Sequence, residues 1–108
     1  MNEQKTDYEV DERKTVAEAP NLRVRQLTLS GTQVVPWHLH TIITDTFFCM
    51  DGPMVVRTRE PEAAHTLQPG QTLAVDPGIA HHVSSVDGGR CKFMIVQGVG
   101  QYDYVPVD

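Results

Sequence analysis

The chain has 108 residues, 40% hydrophobic and 21% charged, which sets the scale of one domain around a single core. Its formal charge of −5 excludes the basic face that a phosphate backbone requires, so nucleic acid is not an expected partner. No apolar run approaches the ~20 residues that span a bilayer, and the start Met1-Asn2-Glu3-Gln4-Lys5 lacks a signal-peptide core. The expectation is therefore a cytoplasmic protein with no membrane role. Cys49 and Cys91 both fall inside strand-like runs and read as buried reduced thiols.

Residues 1–19 carry nine of the charges and few apolar anchors. They are expected to form a flexible arm or an edge strand swapped onto a partner subunit, with residues 20–108 as the folded domain. From Asn21 to Ser30 apolar residues alternate, and the change of parity between Val24 and Leu27 suggests a bulge. Gly31 breaks that strand. Gln33 to His40 forms the next, with Pro36 tolerable only at an edge or irregularity.

Asp45 to Asp51 is an aromatic-rich strand closed by the turn Asp51-Gly52-Pro53, and Met54 to Arg59 returns beside it. Short strands follow at Ala64–Leu67, Thr72–Val75, His81–Val86, Arg90–Gln97 and Tyr102–Val107, separated by Pro69-Gly70, Pro77-Gly78 and Asp87-Gly88-Gly89. No segment sustains a helical period. The expected fold class is all-β, about eight to ten short strands in an antiparallel sandwich or barrel.

Three of the five histidines lie in two of these segments, Pro36-Trp37-His38-Leu39-His40 and Asp76-Pro77-Gly78-Ile79-Ala80-His81. In a strand, alternate side chains share a face, so His38 and His40 project together, roughly 6–7 Å apart along the backbone. Joined by His81 and Asp45, they offer imidazoles and a carboxylate to a divalent transition ion such as Fe, Mn, Ni, Zn or Cu. The plain alternative is a polar cluster satisfied within the core, since unpaired buried imidazoles cost about 1–3 kcal/mol each. Asp45 can ligate directly, act through a water, orient a histidine, or bond Thr44 or Thr46 at the strand entry.

The spacing of these residues resembles the two motifs of the cupin superfamily. In the first, six residues separate Gly31 from His38, one more than the family pattern; His38 and His40 match, Asp45 takes the place of a glutamate, and Gly52 closes the motif. In the second, Gly70, Gly78 and His81 match, with Asp76 in place of the proline and Ser85 in place of the asparagine. The resemblance covers residues 22–97. It implies a jelly-roll β-barrel, a metal held by His38, His40 and His81 with Asp45 as the candidate fourth ligand, and a homodimer.

Other residues carry weaker signals. His82 should face away from the ligands and His65 should be solvent-exposed. Cys49 shares the parity of Asp45 and Phe47 and reads as a small core hydrophobe. Arg57 and Arg59 share one face; if it is interior, Arg57 could anchor a carboxylate, and the exterior reading is favoured. Trp37, Leu39, Phe48 and Met50 have the parity opposite to the ligands, and an outward patch of this kind marks a subunit interface. Phe47, Phe93 and Met94 suggest an apolar pocket lining, and Tyr102 and Tyr104 read as packing residues. Functionally, the leading expectation is a metal-dependent enzyme acting on a small molecule, with cupin-type dioxygenase, isomerase, cyclase and lyase chemistry all open. The alternative is a non-catalytic metal- or ligand-binding module.

Overall fold

The turn signals divide the chain into strands too short for a helix to intervene, and the computed structural model, which describes residues 8–108, contains strands only. In chain order these are β1 (Glu12–Ala19), β2 (Leu22–Ser30), β3 (Val34–Leu39), β4 (Thr44–Asp51), β5 (Met54–Thr58), β6 (Ala63–Leu67), β7 (Thr72–Val75), β8 (His81–Ser85), β9 (Arg90–Gly98) and β10 (Val105–Pro106). They form two antiparallel five-stranded sheets, ordered β1-β2-β9-β4-β7 and β10-β3-β8-β5-β6. The all-β jelly-roll expectation holds.

The period of two along each strand decides what is buried. In the first sheet Leu27, Leu29, Phe47, Cys49, Cys91 and Phe93 point inward; in the second Val35, Met54, Val56 and Val83 meet them. Each fully buried leucine or phenylalanine of this set contributes about 1.5–3 kcal/mol by leaving water. The core occupies one end of the space between the sheets. Toward the other end the inward positions turn polar: Gln97 and Asp45 pair on the first sheet, and His38 and His81 pair on the second.

Two local features differ from, or sharpen, the sequence reading. The register of β2 against β9 runs unbroken from Leu22 to Ser30, so β2 has no bulge there. The irregularity lies instead in β1, between Thr15 and Ala17. The parity change in β2 has another cause: Leu22 and Val24 face outward, while Arg23 and Arg25 take the inward positions that continue Leu27 and Leu29. In β3 the register does shift, between Val35 and His38, where Pro36 lacks a backbone N–H to donate. That extra residue lets Val35 and His38, three apart, both point inward. Residues 12–19 of the expected arm form β1, an edge strand hydrogen-bonded to β2 of the same chain; residues 1–7 of the arm lie outside the described residues.

The two histidine segments are tied by their backbones. Gly78 sits at φ +83°, where a side chain is strained, and its N–H donates to the carbonyl of His40 at 2.7 Å. This bond fixes the approach to His81. Replacing Gly78 by alanine should therefore cost about 1–2 kcal/mol, read as a lowered midpoint in chemical denaturation monitored by circular dichroism.

Candidate metal centre

His38 projects inward from the end of β3, His40 from the residue after it, His81 from the start of β8, and Asp45 from the start of β4. All four are buried, and one ligand atom from each lies within 4.8 Å of the others. The Oδ2 of Asp45 stands 2.9 Å from Nε2 of His40 and 2.9 Å from Nε2 of His81. Its Oδ1 accepts from Nε2 of Gln97 at 3.1 Å. Adjacent ligands about 2.1 Å from a common ion lie ~3 Å apart, as Oδ2 of Asp45 does from both Nε2 atoms, and the full set, within 4.8 Å, needs only a small inward shift to share one.

The outer nitrogens decide the tautomers. Nδ1 of His38 contacts the carbonyl of Pro36 at 2.8 Å, Nδ1 of His81 that of Ile79 at 2.8 Å, and Nδ1 of His40 that of Asp103. A carbonyl only accepts, so each Nδ1 carries the hydrogen and each neutral ring presents the Nε2 lone pair to the shared centre. For His40 and His81 both to donate to Asp45 instead, both rings would have to be imidazolium in a buried space. A cation would take the place of both protons. The donor set therefore fits a first-row divalent ion such as Fe, Mn, Ni, Zn or Cu.

Without an ion, the protonation tendencies of the donors diverge. Burial, then the neighbouring His81, pushes His38 down to about 4, so it stays a neutral donor. Burial works against a charged His40, but the bond and charge of Asp45 outweigh it and raise its pKa. Burial likewise opposes the Asp45 anion, yet the bonds from His40 and His81 hold it well below the usual carboxylate range.

The sequence profile of the Cupin domain family matches residues 25–97. The chain belongs to the cupin family. Among solved structures this cupin is similar to an uncharacterized conserved protein with a double-stranded β-helix domain from Klebsiella pneumoniae. That pair shares 18% identity and a TM-score of 0.80, over 97% of this chain and 90% of that one. It is also similar to a cupin-2 domain containing protein from Shewanella frigidimarina (23% identity, TM-score 0.67, 82% of this chain, 80% of that one). An oxalate oxidase shares 15% identity and a TM-score of 0.72, with 81% of this chain covering 46% of the longer chain. At these identities the likeness is one of fold. No curated protein matches the cupin in sequence.

Beside the four donors this cupin has a small cavity of about 20 Å³, room for about one water-sized group. His38, Asp45 and Gln97 reach it, and Arg25, Tyr8, Tyr102 and Tyr104 stand round it. The sequence reading missed Gln97 and Arg25. The only trace of either in the sequence is the inward parity that Arg25 shares with Leu27 and that Gln97 shares with Phe93. Tyr104 stacks on His38, with ring centres 4.6 Å apart, and Tyr102 lies 5.2 Å from His40, so both tyrosines pack on the donors themselves.

The remaining expectations divide. His82 does face outward, against Trp37 with ring centres 5.4 Å apart. Cys49 is a core residue whose thiol donates to the carbonyl of Leu67 at 3.5 Å. Arg57 is exposed and donates to Ser84, so it anchors nothing in the interior. His65 departs from the reading: it pairs with Val56 on the inward face of β6 and is only half-exposed. Met94 alternates outward from Phe93, so it does not line the pocket. Trp37 and Leu39 lie on the outside of the second sheet and Phe48 and Met50 on the outside of the first, so the four form no single patch.

In metal-free protein, the folded state keeps His38 neutral down to about 4, whereas an unfolded chain protonates it near ~6.5. The unfolded state then binds more protons between these values. Stability should fall as pH drops from about 6.5 toward 4, by up to about 3 kcal/mol from this group. His40 acts in the opposite sense, losing its contribution only as pH rises past its raised folded pKa. Denaturation of metal-stripped protein across that window should show a shallower slope for His38→Asn than for the wild type.

Proposed function

We propose that this cupin is a metal-dependent enzyme acting on a small organic molecule, with His38, His40, His81 and Asp45 holding one divalent transition ion. The observation that supports it most is the convergence of three Nε2 lone pairs and a carboxylate within 4.8 Å, each ring fixed by a backbone carbonyl. When bound, the ion supplies Lewis-acid polarisation of a substrate oxygen, or redox chemistry if it is iron. Gln97 fixes the carboxylate plane of Asp45 through Oδ1, leaving Oδ2 toward the histidines. Phe47 and Ile95 line the cavity and keep bulk water from the donors. Tyr102 closes one side, and burial pushes its hydroxyl up to about 12, so it acts as a hydrogen-bond donor rather than a base.

One observation favours a second reading, a module that binds a metal or ligand without turnover. Apart from the donor cluster, the side chains lining the cavity among the described residues include no carboxylate or imidazole to serve as a general base, and Arg25 has no acceptor. Elemental analysis and oxygen uptake separate the readings. Wild-type protein should carry about one equivalent of a transition ion per chain. His81→Ala should lose most of that metal while keeping its β-sheet circular dichroism. A folded wild type free of metal would end the first reading and the metal-binding form of the second, and a metal-loaded protein inert toward small oxygenated substrates would favour the second.

A further inference from the structure

The outer face of the second sheet carries a positive patch that the metal centre does not use. Trp37, Arg57 and Arg59 line a cavity of about 410 Å³ there, beside the turn between β5 and β6, together with Glu62, Ala63 and Ala64. Alternation along the strands turns Trp37 and Arg57 away from the interior that His38 and His81 face. In the register of the sheet Arg57 stands between His82 on β8 and Ala64 on β6, so neither neighbouring strand sets an acid opposite it.

Both guanidinium groups are held in place by uncharged partners. Nη1 of Arg57 donates to Oγ of Ser84 at 3.2 Å. The Arg59 guanidinium lies 3.9 Å from the Trp37 ring centre, and its Nη1 donates to the main-chain oxygen of Asp108. The backbone N–H of Arg59 donates to Ala80 at 3.1 Å, which fixes the strand end that carries it. Among the described residues no side-chain carboxylate forms an ion pair with either arginine, although the chain has 14 acidic residues against 9 Lys and Arg. Glu62 lines the same cavity and pairs with neither. A hydroxyl and a ring face orient these cations without cancelling their charge.

We propose that this outer groove binds a small organic oxyanion, a carboxylate or a phosphate ester, between Arg57 and Arg59, at a site separate from the metal centre. A guanidinium presents a planar fork of N–H donors that matches carboxylate and phosphate oxygens. Two such forks on one cavity suit a ligand with several anionic oxygens. The volume falls within the roughly 300–1,000 Å³ of small-molecule sites, far above the room for one water-sized group beside the metal donors. Glu62 is the one acid of the cavity, and it opposes an anion there.

The chain has one tryptophan, so the fluorescence of Trp37 reads this groove directly. The test titrates the full chain with succinate and with glycerol 3-phosphate at constant ionic strength, and with succinamide and glycerol as neutral controls. At least one anion should change the fluorescence saturably where its neutral counterpart does not, and the tighter of the two identifies the head group. Arg57→Gln should weaken that binding by about tenfold. Glu62→Gln should strengthen it, and Arg90→Gln, on the other sheet, should leave it unchanged. Protein stripped of metal and dialysed free of chelator should bind equally well, which separates this groove from an anion taken by the metal centre. A wild type that responds to neither anion would overturn the proposal, as would equal affinity in Arg57→Gln, or loss of binding in Arg90→Gln or on metal removal. Weaker binding in Glu62→Gln would mean that the ligand offers a positive group, and would overturn the anion assignment. Should Arg57→Gln fail to fold, Arg57→Lys decides: weaker binding at an unchanged melting temperature supports the fork, and equal binding overturns it.

Discussion

A single buried carboxylate oxygen, Oδ2 of Asp45, holds the two sheets in the geometry on which everything else depends. Asp45 belongs to the first sheet, while His38 and His81 belong to the second and His40 directly follows its strand β3. A carboxylate that is 1% exposed would be costly without partners. The Gln97 amide supplies one from the neighbouring strand of the same sheet, and from across the interior the Nε2 atoms of His40 and His81 both face Oδ2, an arrangement that a shared cation or proton would satisfy. The polar end of the barrel is thus fixed by directional contacts, whereas the Phe93 end is fixed by packing.

The backbone does as much as the side chains to prepare the centre. His38 and His81 use the same device, an Nδ1–H bonded to the carbonyl two residues earlier, at Pro36 and at Ile79. His40 relies on Asp103, far along the chain, so the C-terminal segment completes the site. Thr41 reinforces that closure by bonding both its N–H and its hydroxyl to the Asp103 carboxylate. Tyr104 then covers His38. Each ring is oriented before any ion arrives, which lowers the ordering cost of binding.

The electrostatics of the cavity run against those of the whole chain. A protein with a formal charge of −5 lines the cavity with Arg25 and sets Arg13 and Arg23 close enough to repel it, each of these two against an aromatic face. Ring faces attract a cation without neutralising it.

Much of this was legible in the sequence because a strand has a period of two. That period put His38 and His40 on one face, set Trp37 and His82 on the other, and made Cys49 a core residue. The turn residues Asp51-Gly52-Pro53 and Asp87-Gly88-Gly89 marked the strand ends closely enough to give the order of strands. Period two does not say which strands become neighbours or which outward faces belong to the same sheet. Only the tertiary structure separated Trp37 from Phe48, brought Gln97 opposite Asp45, turned His65 inward, and showed that the parity change in β2 delivers Arg25 to the cavity. Those outcomes depend on register and on contacts between residues dozens of positions apart, such as the 52-residue separation of Asp45 and Gln97, and no local pattern encodes them.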